Sequence, residues 1–139
     1  MKKFSYLDIT TSDVCFVAYG KTLDELFENS ALAMFEAMVN TEQIKSKVKR
    51  KVEVKGNDLE SLMFNWLNEL LVFYGSENLA FSKFDVDVNK EKLELKARCG
   101  GEELNPEKHE LRTEVKACTM HKLKVWKEET WKARVILDI

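Results

Sequence analysis

Asp13 closes a hydroxyl-rich turn, Thr10-Thr11-Ser12-Asp13, and Asp138 follows the apolar run Val135-Ile136-Leu137 one residue before Ile139. Carboxylates and carbonyls are the ligands that hard divalent cations such as calcium and magnesium select. Two aspartates, with the terminal carboxylate of Ile139 where the chain ends there, could supply such an oxygen set. The competing reading is a solvated turn and a solvated terminus. Lys116 sits between Val115 and Ala117, so alternation sends it to the opposite face, either to meet a phosphate or carboxylate or to stand as an ordinary exposed lysine.

The segment Leu104 to His121 holds the only proline, Pro106, and both histidines, His109 and His121. Two histidines cannot build a multi-histidine metal centre. His121, beside the strand break at Met120, could be a ligand or proton donor, or a hydrogen-bonded structural residue. A Cys118–His121 nucleophile pair is disfavoured, because residues three apart on a strand face opposite sides. Glycine-rich nucleotide loops, GxSxG and HExxH are all missing, so no enzyme class announces itself.

The elements that must hold these groups follow from periodicity. Leu23, Leu26, Phe27, Ala31, Met34, Phe35 and Met38 keep the spacing of one buried helical stripe, and Thr22 with Glu25 forms a capping-box signature at its start. A second helix is expected from Leu59 to about Tyr74, with Leu62, Met63, Trp66, Leu67, Leu70 and Leu71 on a broad face and Asn57 or Asp58 as cap. Strands are expected over Phe4 to Ile9, Val14 to Tyr19, Ile44 to Lys55 and Thr113 to Thr119. Two hairpins follow the same logic, Phe81 to Asn89 with Lys92 to Cys99, and His121 to Trp126 with Trp131 to Leu137. The order ββαβα plus four or five mainly antiparallel strands defines an α+β class, with two amphipathic helices packed on sheet, either covering one sheet face or sitting between sheets. The apolar second helix and the strand edges could support a homodimer.

A chain of 139 residues with 45% hydrophobic content fits a single domain with a real core, spanning 1–139. The 22 basic and 24 acidic residues nearly cancel, which argues against a broad nucleic-acid-binding field. A local patch could still form at Lys45 to Lys55, KSKVKRKVEVK, although a solvated strand face is the simpler reading. Cys15, Cys99 and Cys118 have no CxxC spacing and sit among apolar neighbours, as expected for buried thiols in a reducing compartment. The opening MKKFSYLDITTSD turns polar too early for a signal peptide, and no apolar run approaches membrane-spanning length. A soluble cytoplasmic protein, not attached to a membrane, is expected.

Three separated segments together resemble the archease family. Asp8-Ile9-Thr10-Thr11-Ser12-Asp13-Val14 is similar to its DHTADI-type turn, with Thr10 in place of the histidine and Ser12 in place of the alanine. Asn105-Pro106-Glu107-Lys108-His109-Glu110, Glu114-Val115-Lys116-Ala117 and Thr119-Met120-His121 resemble the (D/N)P-x-(R/K)HE…EVKA-x-T-x-H block. The C-terminal strand ending in Asp138-Ile139 is the third segment. The resemblance implies a non-catalytic accessory protein of RtcB-type RNA ligases. It would promote ligase guanylylation and multiple turnover in tRNA splicing and RNA repair, meeting tRNA only through the ligase. It further implies a divalent-ion site, with calcium the expected metal, on Asp13, Asp138 and Ile139. Lys116 matches the family's functional lysine, and His109 and His121 fall on the histidines of the block. Family members also act as chaperone-like modulators of RNA-modifying enzymes, and a metal-dependent hydrolase or lyase using the same carboxylates is the rival from another class.

Overall fold

A computed structural model describes residues 2–139. The elements run β1 (Phe4–Ile9), β2 (Asp13–Gly20), α1 (Leu23–Met38), a 3-10 turn (Thr41–Gln43), β3 (Val48–Lys55), α2 (Leu59–Glu77), β4 (Leu79–Asn89), β5 (Glu94–Glu103), β6 (Ala117–Cys118), β7 (Lys124–Glu128) and β8 (Thr130–Asp138). This is the expected α+β order. The strands form two antiparallel sheets. In one, β1 pairs β2 and β2 pairs β8, whose other side is shared by β7 along its first half and β6 at its end. In the other, β5 lies between β3 and β4.

Both helices lie between the sheets, since α1 touches β2, β8 and β4 while α2 touches β3, β4, β5, β6 and β7. Of the two placements the strand order allows, over one sheet face or between sheets, the second is the one found. α1 buries Leu26, Phe27, Ala31, Ala33, Met34, Phe35 and Met38, and also Asn29 and Ser30, because sheet covers it on two sides. Ser30 donates to Leu26 O within the helix at 2.8 Å, so its hydroxyl is not orphaned. Leu62, Met63, Trp66, Leu67 and Leu70 of α2 are likewise fully buried inside the chain and are not on offer to a second copy. Trp66 joins the two helices: its indole N–H donates to Phe27 O at 2.9 Å, and its ring meets Phe84 edge-on.

The caps fall where the side chains predict them. Thr22 Oγ1 accepts from Glu25 N at 3.2 Å, while the Glu25 carboxylate reaches one residue further back, to Lys21 N, instead of closing the box on Thr22. At α2 the box is complete between Asp58 and Ser61.

Two strand expectations are corrected. The strand expected from Ile44 begins only at Val48, because Thr41–Gln43 forms a 3-10 turn and Ile44 closes onto it. The strand expected over Thr113 to Thr119 is reduced to Ala117–Cys118. Its earlier residues have another job: Arg112 N donates to Met38 O and Thr113 N to Ala37 O, and the Arg112 guanidinium reaches Glu36 O. The segment thus satisfies the last carbonyls of α1, which no glycine cap serves.

Candidate functional site: an acidic corner on the five-stranded sheet

The antiparallel register places Asp13 directly opposite Asp138, and Asp138 directly opposite Ala117. Lys116 N donates to Asp138 O at 2.8 Å, and Ile139 N to Ser12 O at 3.1 Å. The sheet therefore brings Asp13, Lys116, Asp138 and Ile139, more than a hundred residues apart in the chain at the extremes, to one corner. Directly opposed residues share a sheet face. Val14, Leu137 and Cys118 are the buried neighbours, so Asp13 and Asp138 stand on the outer face.

Thr10 is the hub of the turn that aims Asp13. Its hydroxyl accepts from Ser12 N at 3.2 Å and from Asp13 N at 3.1 Å, and lies in donating distance of Asp13 Oδ1 at 3.2 Å. A hydroxyl thus positions the carboxylate where the family motif carries an imidazole. Thr10→Val is expected to cost about 1 kcal/mol of stability and, if the corner takes a divalent ion, to weaken its binding, while Thr10→Ser retains both. Thermal melts with and without calcium, run on both variants, check this.

The short strand that follows Lys116 is held from an unexpected direction. Asn68 of α2 accepts from Cys118 N at 2.9 Å and donates to Cys118 O at 3.1 Å, while Thr119 N and Oγ1 both donate to Ile136 O. A polar residue on the largely apolar second helix was the one signal in the sequence for this role. Val115 and Cys118 are both buried and Lys116 is exposed, so regular alternation fails between them.

The histidines go elsewhere. His121 is exposed in the Met120–Leu123 turn after β6. His109 is 4% exposed: its Nδ1 accepts from Asn105 N at 3.0 Å, and its Nε2 faces Glu102 Oε1 at 3.5 Å without a hydrogen bond. The unprotonated Nδ1 puts the neutral ring's proton on Nε2, toward Glu102. Neither contact of His109 belongs to the Asp13–Asp138 pair.

Like charges directly opposite on a sheet destabilise it. Among the described residues, neither Asp13 nor Asp138 enters an ion pair. Arg134 shares the face, with Asp8 and Lys122: burial pushes the Cys15 thiol up, Arg134 opposes this, and Asp13 and Asp8 add to it. The donors at the corner are oxygens, which suits a hard divalent cation better than zinc. Among the described residues no three His, Cys, Asp or Glu side chains group as metal ligands. The two aspartates would therefore hold an ion only with oxygens from Ile139, the backbone or water.

Fold and corner together define a class: an α+β protein with its helices between two antiparallel sheets and its acidic groups on an open sheet face. The chain belongs to the archease family, since residues 4–139 match the Archease protein family (MTH1598/TM1083). It is 43% identical over 140 residues to the protein archease of Sulfolobus acidocaldarius and 43% over 143 residues to that of Pyrococcus abyssi, covering all of each chain in both cases. The solution structure of Methanobacterium thermoautotrophicum protein 1598 superposes with a TM-score of 0.86 at 44% identity, again over the whole of both chains. No helix is long and apolar enough to cross a membrane.

Proposed function

We propose that this chain is an accessory protein that activates an RtcB-type RNA ligase in tRNA splicing and RNA repair, without catalysis of its own. The observation that carries the reading is the Asp13–Asp138 pair, two carboxylates that enter no ion pair among the described residues, opposed at a sheet corner where Lys116 N donates to Asp138 O. A bound calcium ion would supply the compensating charge and a Lewis-acidic centre. Asp13, Asp138 and Ile139 would hold it, Thr10 fixing the first of these. Lys116 would moderate the acidic charge or meet a phosphate at the mouth of the ligase.

The surroundings support a partner-facing surface. Ile9, adjoining the Thr10 turn, is 62% exposed, and Met120, just past β6, is 51% exposed. A hydrolase working alone would instead hold its acids in a concave pocket that buries its substrate. Three free cysteines suit the reducing cytoplasm in which we place the protein.

The test is RNA ligation by a cognate RtcB-type ligase, with RNA in excess over enzyme, with and without this chain. The expected result is that the ligase alone stalls after about one turnover and that the chain restores repeated turnover. An active ligase whose turnover number is unchanged by the chain overturns the reading.

A further inference from the structure

The basic run from Lys45 to Lys55 finds its explanation on the three-stranded sheet, away from the acidic corner. Lys49 of β3, Gly100 of β5 and Lys83 of β4 are register partners in one row across the sheet. The neighbouring row, Lys51, Arg98 and Asp85, lies on the same outer face only if the row between them, Arg50, Cys99 and Phe84, faces inward, and Cys99 is fully buried there. Gly100 has no side chain to fill its place on the central strand. The result is an open cavity of about 440 Å³ walled by Lys49, Lys83 and Arg98, with Ser46 beside its floor. A Cβ on Gly100 would collide with the Ser46 hydroxyl, so the glycine is what leaves room for it.

The cations of this wall are uncommitted. Among the described residues Lys47, Arg50, Lys55, Lys108, Arg112 and Lys132 all enter ion pairs, but Lys49, Lys83 and Arg98 enter none. The single carboxylate on the wall, Asp85, leaves the cavity net positive. All three cationic side chains are exposed, in a protein whose formal charge is −2. Positive charge is thus concentrated locally rather than spread.

We propose that the cavity over Gly100 binds a backbone phosphate of single-stranded RNA, held by Lys49, Lys83 and Arg98 with the Ser46 hydroxyl as a further donor. Arg98 offers a planar fork and the two lysines offer compact charges, a combination suited to a phosphate's oxygens. An open cavity gains little from one small anion. A strand of linked phosphates gains more, because Lys51, in the neighbouring row on the same face, stands about 6.8 Å further along β3. This inference does not depend on the ligase reading. It concerns the other sheet and is tested on the isolated chain, so either can fail alone.

The experiment is fluorescence anisotropy with a labelled RNA of roughly 12 nucleotides, a length within the range of small single-strand sites. With two phosphates neutralised, one in the cavity and the next at Lys51, the log–log salt slope should be about −1.4 for a single strand, or about a sevenfold loss of affinity between 50 and 200 mM salt. Lys49→Ala/Lys83→Ala should bring the slope to about −0.7 and weaken binding at least tenfold at low salt, with an unchanged melting temperature. Lys49→Arg/Lys83→Arg should retain both affinity and slope. Competition identifies the source of the phosphate. Inorganic pyrophosphate should displace RNA only at a large molar excess, and polyglutamate should not displace it. Absence of RNA binding, or RNA binding untouched by the alanine pair, overturns the proposal. So does pyrophosphate or polyglutamate competing as well as RNA, which would point to a small phosphate compound or an acidic protein segment.

Discussion

Asp13→Asn/Asp138→Asn is expected to abolish both the calcium response and the stimulation of ligase turnover that the proposed function requires. In the absence of metal the double variant should be the more stable protein by about 0.5–1 kcal/mol, because two carboxylates opposed across β2 and β8 repel one another. Added calcium should reverse the order. At a hundredfold excess over Kd, binding stabilises the native state by about 2.7 kcal/mol. At this chain length that raises Tm by about 10 °C, and the variant should not move. Ligation measured alongside should show turnover falling at least tenfold toward that of the ligase alone. Asparagine keeps the shape and the turn hydrogen bonds of aspartate, so a purely structural role for the pair predicts no difference in the calcium shift. An equal shift in both proteins would dismiss the corner as a metal site.

Glu102→Ala should cost about 3 kcal/mol and loosen the loop that carries the Asn105 to Glu110 block. Glu102 is 4% exposed at the end of β5, where its carboxylate accepts from Lys45 N at 2.6 Å and from Lys108 Nζ at 3.2 Å. Lys47 Nζ stands 3.7 Å away and His109 Nε2 3.5 Å away. Burial works against its ionisation, but the Lys45 amide and the two lysines outweigh it and hold the carboxyl down at about 2. A depressed folded-state value means that the contribution is complete above the ordinary glutamate range and is lost as pH falls through about 2. Urea melts of both proteins at pH 7, 5 and 3 should therefore show a constant gap from 7 to 5 and a narrower one at 3. A gap that widened on acidification would mean that the carboxylate is not the stabilising form. Calcium should leave this difference untouched, which separates it from the effect at the acidic corner.

The helices and their caps are legible because their signals are local: Thr22, Asp58 and the apolar spacing act within a turn or two. β2, β5 and β8 follow from alternation for the same reason. Residues 113–116 misled because Val115 and Cys118 are three apart yet both apolar and both buried, which no single strand period describes. The acidic corner is a product of register: nothing local at Asp13 indicates that Asp138 will lie opposite, and the family resemblance alone drew them together. The Thr10 hub was visible as a departure from the motif, but its hydrogen bonds depend on the turn closing. Asn68 and the Gly100 cavity were hidden more deeply, since each acts on strands far away in sequence.

The clasp of Asn68 on Cys118 has a bearing on solubility. β6 is a sheet edge, and an edge with free N–H and C=O groups invites another chain to add a strand. Lys116 N and Thr119 N point inward to β8, while the N–H and C=O of Cys118 turn away from it. Both are occupied by one side-chain amide. The helix thus plugs the edge with a residue that offers no backbone to extend, and the sheet ends where the asparagine stands. At this one edge a single carboxamide stands where an added strand would have to pair.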